Sequence, residues 1–183
     1  MLLSVTGLDR EIGMILKAVS FAAEKHRLQR RKDPEASPYI NHPIAVAQVL
    51  WHEAQTQDFL AVTAALLHDT VEDTDTTVDE LRIEFGEEVA RIVAEVTDDK
   101  DLPKAARKRA QVEHAPHLSL SAQRVKIADK ICNLRDVAKN PPANWTLQRR
   151  REYFDWAAEV VGKIPEKHGR LSELFDEVHN LRP

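Results

Sequence analysis

Eight residues from Leu60 to Leu67 contain one polar side chain, Thr63, and run directly into His68-Asp69-Thr70-Val71-Glu72-Asp73-Thr74. A segment that is apolar on every side must be buried on every side, so the pattern predicts a core helix with neighbours all round it. If that helix runs on through Asp73, Glu72 falls four residues after His68 and Asp73 four after Asp69. The four side chains then share one broad face. Three carboxylates so close repel one another in a low dielectric, and a positive group has to offset them. A divalent metal held by His68 and Asp69 does so, and leaves Glu72 and Asp73 free to move protons at a water. The plainer alternative is a solvated acidic helix end, because Asp73 and Asp75 lead into a polar Thr/Asp loop. The adjacent His-Asp pair at the end of a buried helix favours the metal.

The rest of the chain offers that helix helical neighbours. There is no clear alternating run, no Asn-Gly or Asp-Gly hairpin turn, and only 5 glycines in 183 residues. The expected class is all-α, a helical bundle in a single compact domain over 1–183. A net charge of -4 argues against a general nucleic-acid surface. One cysteine, Cys132, excludes an internal disulfide and suits a reducing, cytoplasmic setting. The residues from Met1 to Leu8 lack the basic start and long apolar core of a signal peptide, and no apolar run approaches a membrane span. Monomer and homo-oligomer both remain open.

In chain order, a first helix is expected from Asp9 to His26, with Ile12, Leu16, Val19, Ala23 and His26 inward. The charged segment from Arg27 to Tyr39, with two prolines, reads as a loop. Its basic residues Arg27, Arg30, Arg31 and Lys32 suit either a solvated helix end or a phosphate. Pro43 fits the first position of the next helix, which places His42 at a helix start. His52, near that helix's far end, reads as structural. Thr77-Val78-Asp79-Glu80 is a capping box for a short helix ending at Phe85-Gly86. Val89, Ile92, Val93 and Val96 mark another helix, and a loop over 97–103 leads to the basic helix Lys104 to His114. That helix reads as a surface element, with Lys104 or Arg107 contacting an anionic ligand as the alternative. The next helix, Ser121 to Val137, turns Val125, Ala128, Ile131 and Cys132 inward with Asp129 beside them. A buried carboxylate needs a partner: an arginine, or a metal. Asn133, one turn on, can hold a ligand or water. Helices from Thr146 to Gly162 and from Pro165 to Leu181 complete the bundle. Their aromatic residues are expected in the core, apart from Tyr153, whose hydroxyl wants a polar partner.

Assembled, His42, His68-Asp69 and Asp129 come from three helices and offer two nitrogens and two carboxylates. Such a mixed donor set suits Mn, Fe, Co, Ni or Zn better than Ca or Mg, and lacks the thiolates of structural zinc.

The order His…His-Asp…Asp resembles the HD superfamily of metal-dependent phosphohydrolases. A closer resemblance extends from about Ala18 to Trp156. It rests on Lys25-His26, Gln29-Arg30-Arg31-Lys32 and Pro38-Tyr39-Ile40-Asn41-His42-Pro43. It continues through Ala64 to Thr74, Val96-Thr97-Asp98-Asp99-Lys100 and Lys126-Ile127-Ala128-Asp129-Lys130. These blocks are similar to the hydrolase domain of RelA/SpoT proteins, in particular to the small alarmone hydrolases of the metazoan SpoT-homologue type. The resemblance implies one Mn²⁺ per chain at His42, His68, Asp69 and Asp129, another divalent transition metal being an option. It implies removal of the 3′-pyrophosphate of ppGpp or pppGpp, giving GDP or GTP. Glu72 and Asp73 match the family's catalytic acidic pair, Arg31 and Lys32 its basic loop at the nucleotide, and Asn133 and Tyr153 its pocket lining. Lys104 is a further candidate contact to the pyrophosphate. NADPH 2′-phosphatase activity carries over from animal members as a rival substrate, and a non-enzymatic nucleotide sensor is the other rival. No ligand or acidic position departs from the pattern. One loop position does: Ala36 stands where many relatives have Gly, so a positive φ there would be strained. With no synthetase domain after the hydrolase, hydrolysis without synthesis is expected.

Overall fold

The computed structural model describes residues 7–33 and 35–183. The signal-peptide question concerns residues that lie mostly outside this range, as does Pro34 of the expected loop. Among the described residues there is no β-strand, and the chain is all-α. The apolar run becomes α3 (Phe59–Leu67), in which every residue from Ala61 to Leu67 is buried. Asp58 caps it, its side chain accepting from the Ala61 N–H at 3.0 Å. Three alanines and a threonine keep α3 thin, so neighbours approach from all sides. Those neighbours are α1 (Gly7–Lys25), α2 (Asn41–Gln48), α6 (Glu87–Val96) and α8 (Leu120–Lys139). No helix among the described residues is long and apolar enough to cross a membrane.

The break after α3 departs from the expected continuous helix. The chain turns at His68-Asp69 and resumes as the single-turn α4 (Thr70–Asp73). Threonine hydroxyl groups stabilise the break. Thr70 donates to the Leu67 carbonyl at the end of α3 at 2.7 Å, and Thr74 adds a bond at 2.6 Å to the Thr70 carbonyl, which also accepts from the Thr74 N–H.

Then α5 (Val78–Phe85) forms with Thr77 accepting from the Glu80 N–H at 3.1 Å. The capping box is half made, because the Glu80 carboxylate turns instead to Lys25 at 3.1 Å. Gly86 ends α5 at φ 88° and at once starts α6, a conformation that glycine adopts without strain. The basic helix α7 (Lys104–His114) has no buried residue, as its composition suggests. α8 is enclosed by α2, α3, α6, α9 (Leu147–Gly162) and α10 (Arg170–His179). That enclosure buries Lys126 and Lys130 along with Val125, Ile131 and Leu134. The last helix starts five residues later than Pro165, after a turn through Gly169 at φ 52°.

Helix α1 follows the expected inner face only in part: Val19 packs against the core and His26, just past the helix end, is buried, but the first half differs. Ile12 and Leu16 are 46% and 63% exposed, whereas Ala18 and Ala22 are fully buried and Phe21 packs edge-on against Phe85 at 5.3 Å. The helix carries apolar residues on two faces. Periodicity alone does not say which one meets α3, and the alanine face allows the closer approach.

The loop after α1 is folded back on itself. Arg31 N–H donates to the Ser37 carbonyl at 2.9 Å and Tyr39 N–H to the Gln29 carbonyl at 3.2 Å. Closing it this tightly sets Ala36 at φ 49°, so the strain expected of a non-glycine residue is present. Replacing Ala36 by Gly is therefore expected to raise unfolding free energy by about 1 kcal/mol. A higher urea midpoint at unchanged slope would register it, and an unmoved midpoint would deny the strain.

Candidate metal centre and cleft

Four side chains from three parts of the bundle converge beneath the α3–α4 break. His42 comes from the first turn of α2, His68 and Asp69 from the break itself, and Asp129 from the middle of α8. His42 Nε2 lies 3.2 Å from Asp129 Oδ1 and 3.8 Å from Asp69 Oδ2. His68 Nε2 lies 3.1 Å from Asp69 Oδ1 and 3.8 Å from Asp129 Oδ1. Ligand atoms of His42, His68 and Asp69 all fall within 4.8 Å of one another.

The donor chemistry fits a cation. His68 Nδ1 is 2.8 Å from the Ala65 carbonyl, an acceptor, so it carries the proton. The Nε2 lone pair of a neutral His68 then faces two carboxylates, and this buried atom has no hydrogen-bond partner. Lone pair against carboxylate is repulsive unless a proton or a metal ion stands between them. Burial alone would lower the His68 pKa. Asp69 first, then Asp129, outweigh it and push the value up to about 9. Asp129 is held well below the usual carboxylate range, because Lys130, His42 and His68 more than offset its burial.

Further residues orient these four. Tyr39 Oη donates to Asp69 Oδ2 at 2.7 Å, and its ring packs tilted against buried His26, centroids 4.8 Å apart. Asn133, one turn beyond Asp129, donates to Asp129 Oδ1 at 2.5 Å. Lys130 Nζ sits 3.4 Å from Asp129 Oδ2 and 4.3 Å from the centre of the Trp156 ring. The sequence reading anticipated Asn133 but missed Tyr39 and Lys130. Tyr39 lies three residues before His42 and Lys130 beside Asp129, which was the available signal.

Glu72 and Asp73 do not join the four, and the shared face expected of a continuous helix is not formed. The turn at His68-Asp69 aims the first pair inward, and the one-turn α4 sends the second pair elsewhere. Glu72 Oε2 accepts from the Asp98 N–H at 3.3 Å. Burial, with Asp98 and Asp69 adding, raises its pKa. Asp73 pairs with Lys100 and lines an open cleft of about 480 Å³. Tyr39 and Asn133 line the same cleft, so its wall is one hydrogen bond from the four-residue cluster.

Arg31, Lys32 and Tyr153 line this cleft as well. Arg31 pairs with Asp136, which keeps its pKa raised although burial opposes the charge. Lys104 stands farther along, in an adjoining cleft of about 530 Å³ with Lys108, Arg149 and Trp145. Tyr153 and Trp145 border both spaces. Burial first, then Arg149, Lys32 and Arg107, lower the Lys104 pKa. The basic loop and the basic helix, 72 positions apart between Lys32 and Lys104, thus line two clefts that adjoin at Trp145 and Tyr153. Arg107 takes a different place from the one considered for it. Its Nη1 lies 3.9 Å from Glu72.

Residues 18–155 match the HD domain family. A mouse protein named guanosine-3′,5′-bis(diphosphate) 3′-pyrophosphohydrolase MESH1 is 56% identical, the match covering 91% of this chain and 96% of the mouse one. The human protein of the same name is 55% identical over 94% of this chain and 96% of its own. A solved structure described as a metazoan ortholog of SpoT that hydrolyzes ppGpp and plays a role in starvation responses superposes with a TM-score of 0.88. Its sequence is 45% identical, and the superposition covers 92% of this chain and 95% of that one.

The raised His68 pKa sets the pH dependence of metal binding. At pH 7 the metal-free histidine carries a proton that a metal ion must displace. Binding of a divalent transition metal is expected to release about one proton per chain at pH 7. Affinity should rise with pH until about 9 and then level off. Calorimetric titration in buffers of different ionisation enthalpy measures the release, and proton-free binding at pH 7 would refute this assignment.

Proposed function

We propose that this chain, which belongs to the HD-domain family and within it to the metazoan SpoT-homologue group, is a metal-dependent phosphohydrolase. It removes the 3′-pyrophosphate of ppGpp or pppGpp, releasing pyrophosphate and GDP or GTP. The observation that carries the reading is the unpartnered His68 Nε2 among two carboxylates, one hydrogen bond from a cleft with a basic rim. The relatives' names supply the substrate.

In this reading His42, His68, Asp69 and Asp129 hold Mn²⁺. When bound, the ion supplies Lewis-acid polarisation of a phosphoryl oxygen and acidifies a water. Glu72 and Asp73 move the protons. Glu72, with its pKa raised by burial and by Asp98 and Asp69, is the better proton acceptor of a pair whose members sit in different surroundings. Arg31 and Lys32 offset charge on the pyrophosphate, and Lys104 extends that field along the cleft. To serve in this way Arg31 exchanges its Asp136 partner for phosphate. Asn133 fixes Asp129, and Tyr153 forms the wall against which the nucleoside lies. The 183 residues act as one hydrolase domain. Cys132 is buried and unpaired, in keeping with a reducing cytoplasm as the place of action.

Pyrophosphate release from ppGpp tests the reading. Chelation should abolish turnover, and Mn²⁺ should restore it. Asp73→Asn should lower kcat by about 10²–10⁴ while the protein stays folded and binds metal. Full turnover by that variant would sink the proton-transfer role of Asp73. Faster release of phosphate from NADPH than of pyrophosphate from ppGpp would reassign the substrate. Binding of ppGpp without turnover in any metal would make the protein a sensor.

A further inference from the structure

The segment from Thr97 to Arg107 carries, besides Lys104, two cations to which the proposed chemistry gives no role, Lys100 and Arg107. It links α6 to α7, crosses α4, and touches both candidate proton-transfer carboxylates. From its first half, the Asp98 N–H donates to Glu72 Oε2 at 3.3 Å, and the Lys100 ammonium pairs with Asp73 Oδ1. From its end, Arg107 Nη1 lies 3.9 Å from Glu72 Oε1. Each acidic side chain is therefore met by a cation of the same segment.

The segment is anchored independently of these contacts. Buried Lys126 of α8 donates to the Val96 carbonyl at 2.8 Å, Thr97 Oγ1 to the Val93 carbonyl at 2.8 Å, and Gln111 to Asp98 Oδ2 at 2.6 Å. Asp98 is thus fixed on both sides, and its N–H has a set direction. Arg107 stands in the second turn of α7, with its side chain partly buried and its guanidinium turned to Glu72.

Resting on the phosphohydrolase reading, we propose that Lys100 and Arg107 are positioning residues for Asp73 and Glu72. The 97–107 segment acts as a clamp that aims the two carboxylates in different directions. Asp73 and Glu72 are adjacent acids on a single helical turn, which by itself fixes neither side chain. The clamp gives each its own cation, so that one faces the cleft and the other stays partly buried. Misplacement of a proton-transfer group by about 1 Å can cost 10²-fold in rate, so a structural contact of this kind has a kinetic consequence.

Lys100 is half-exposed, with its side chain at 47%, so its removal leaves the fold intact. In the Mn²⁺-loaded protein, Lys100→Ala is expected to lower kcat for ppGpp about 10- to 100-fold, with KM and the thermal midpoint held. Lys100→Arg should restore most of the rate, and Arg107→Lys should retain more than Arg107→Ala. A rise in KM at unchanged kcat would make Lys100 a substrate contact and overturn the proposal. Unchanged kcat and KM would reduce the pair to a surface ion pair and overturn it equally. Hydrogen exchange of the amides over 98–101 provides a readout that needs no turnover. Lys100→Ala and Asp73→Asn should each speed it, and protection unchanged in both would refute the clamp. If the wild type binds metal but releases no pyrophosphate while exchange responds as expected, the substrate reading fails and the clamp stands.

Discussion

Two buried histidines and two partly buried carboxylates face one another within 4 Å, and this arrangement is stable only with positive charge at its centre. Most of the surrounding structure supports that cluster. Ala65 fixes the ring of His68 through its carbonyl. Tyr39 and Asn133 each donate to one carboxylate. Lys130 balances the outer oxygen of Asp129 and is itself covered by Trp156. These donors reach oxygen atoms, and none of them meets His68 Nε2. Outer groups that orient the carboxylates while leaving that nitrogen to a proton or a cation suit a metal site.

The break between α3 and α4 makes the cluster possible. In an unbroken helix, His68, Asp69, Glu72 and Asp73 would crowd one face with three like charges. Turning at His68-Asp69 divides them. One acid goes to the His/Asp cluster, one to the cleft and one towards α7. The cost is the loss of helical bonds in the middle of the core, which Thr70 and Thr74 partly offset with their hydroxyl groups. Threonine in a helix interior is otherwise unfavourable; here it closes helix ends.

Charge is arranged in layers around the acidic centre. The chain is acidic overall, at -4, yet Arg31, Lys32, Lys104, Lys108 and Arg149 collect on the two adjoining clefts. Their mutual repulsion shows in the lowered pKa of Lys104, after burial the largest contribution. A basic rim over an acidic, metal-suited floor is complementary in charge to a polyanion.

Local chemistry made much of this legible in the sequence. Seven consecutive buried residues in α3, the Thr77 cap, the Gly86 turn and the surface character of α7 follow from side chains within a few residues of one another. The donor types at His42, His68-Asp69 and Asp129 can be read before any geometry is known, and the blocks around them resemble the HD-domain family to which the chain belongs. Ala36 announced its own strain. Other features needed the folded chain. Which face of α1 is buried depends on how closely its alanines let α3 approach, and two apolar stripes carry no such information. The turn at His68-Asp69 depends on where α2 and α8 present His42 and Asp129, contacts 26 and 61 residues away from His68. Tyr39 at Asp69, Lys100 at Asp73 and Arg107 at Glu72 are ion pairs and hydrogen bonds made across 30, 27 and 35 residues. The sequence by itself determined which groups could bind metal and move protons, because that chemistry belongs to side-chain type. Tertiary structure alone decided which way each carboxylate points, because direction comes from partners that only packing brings within reach.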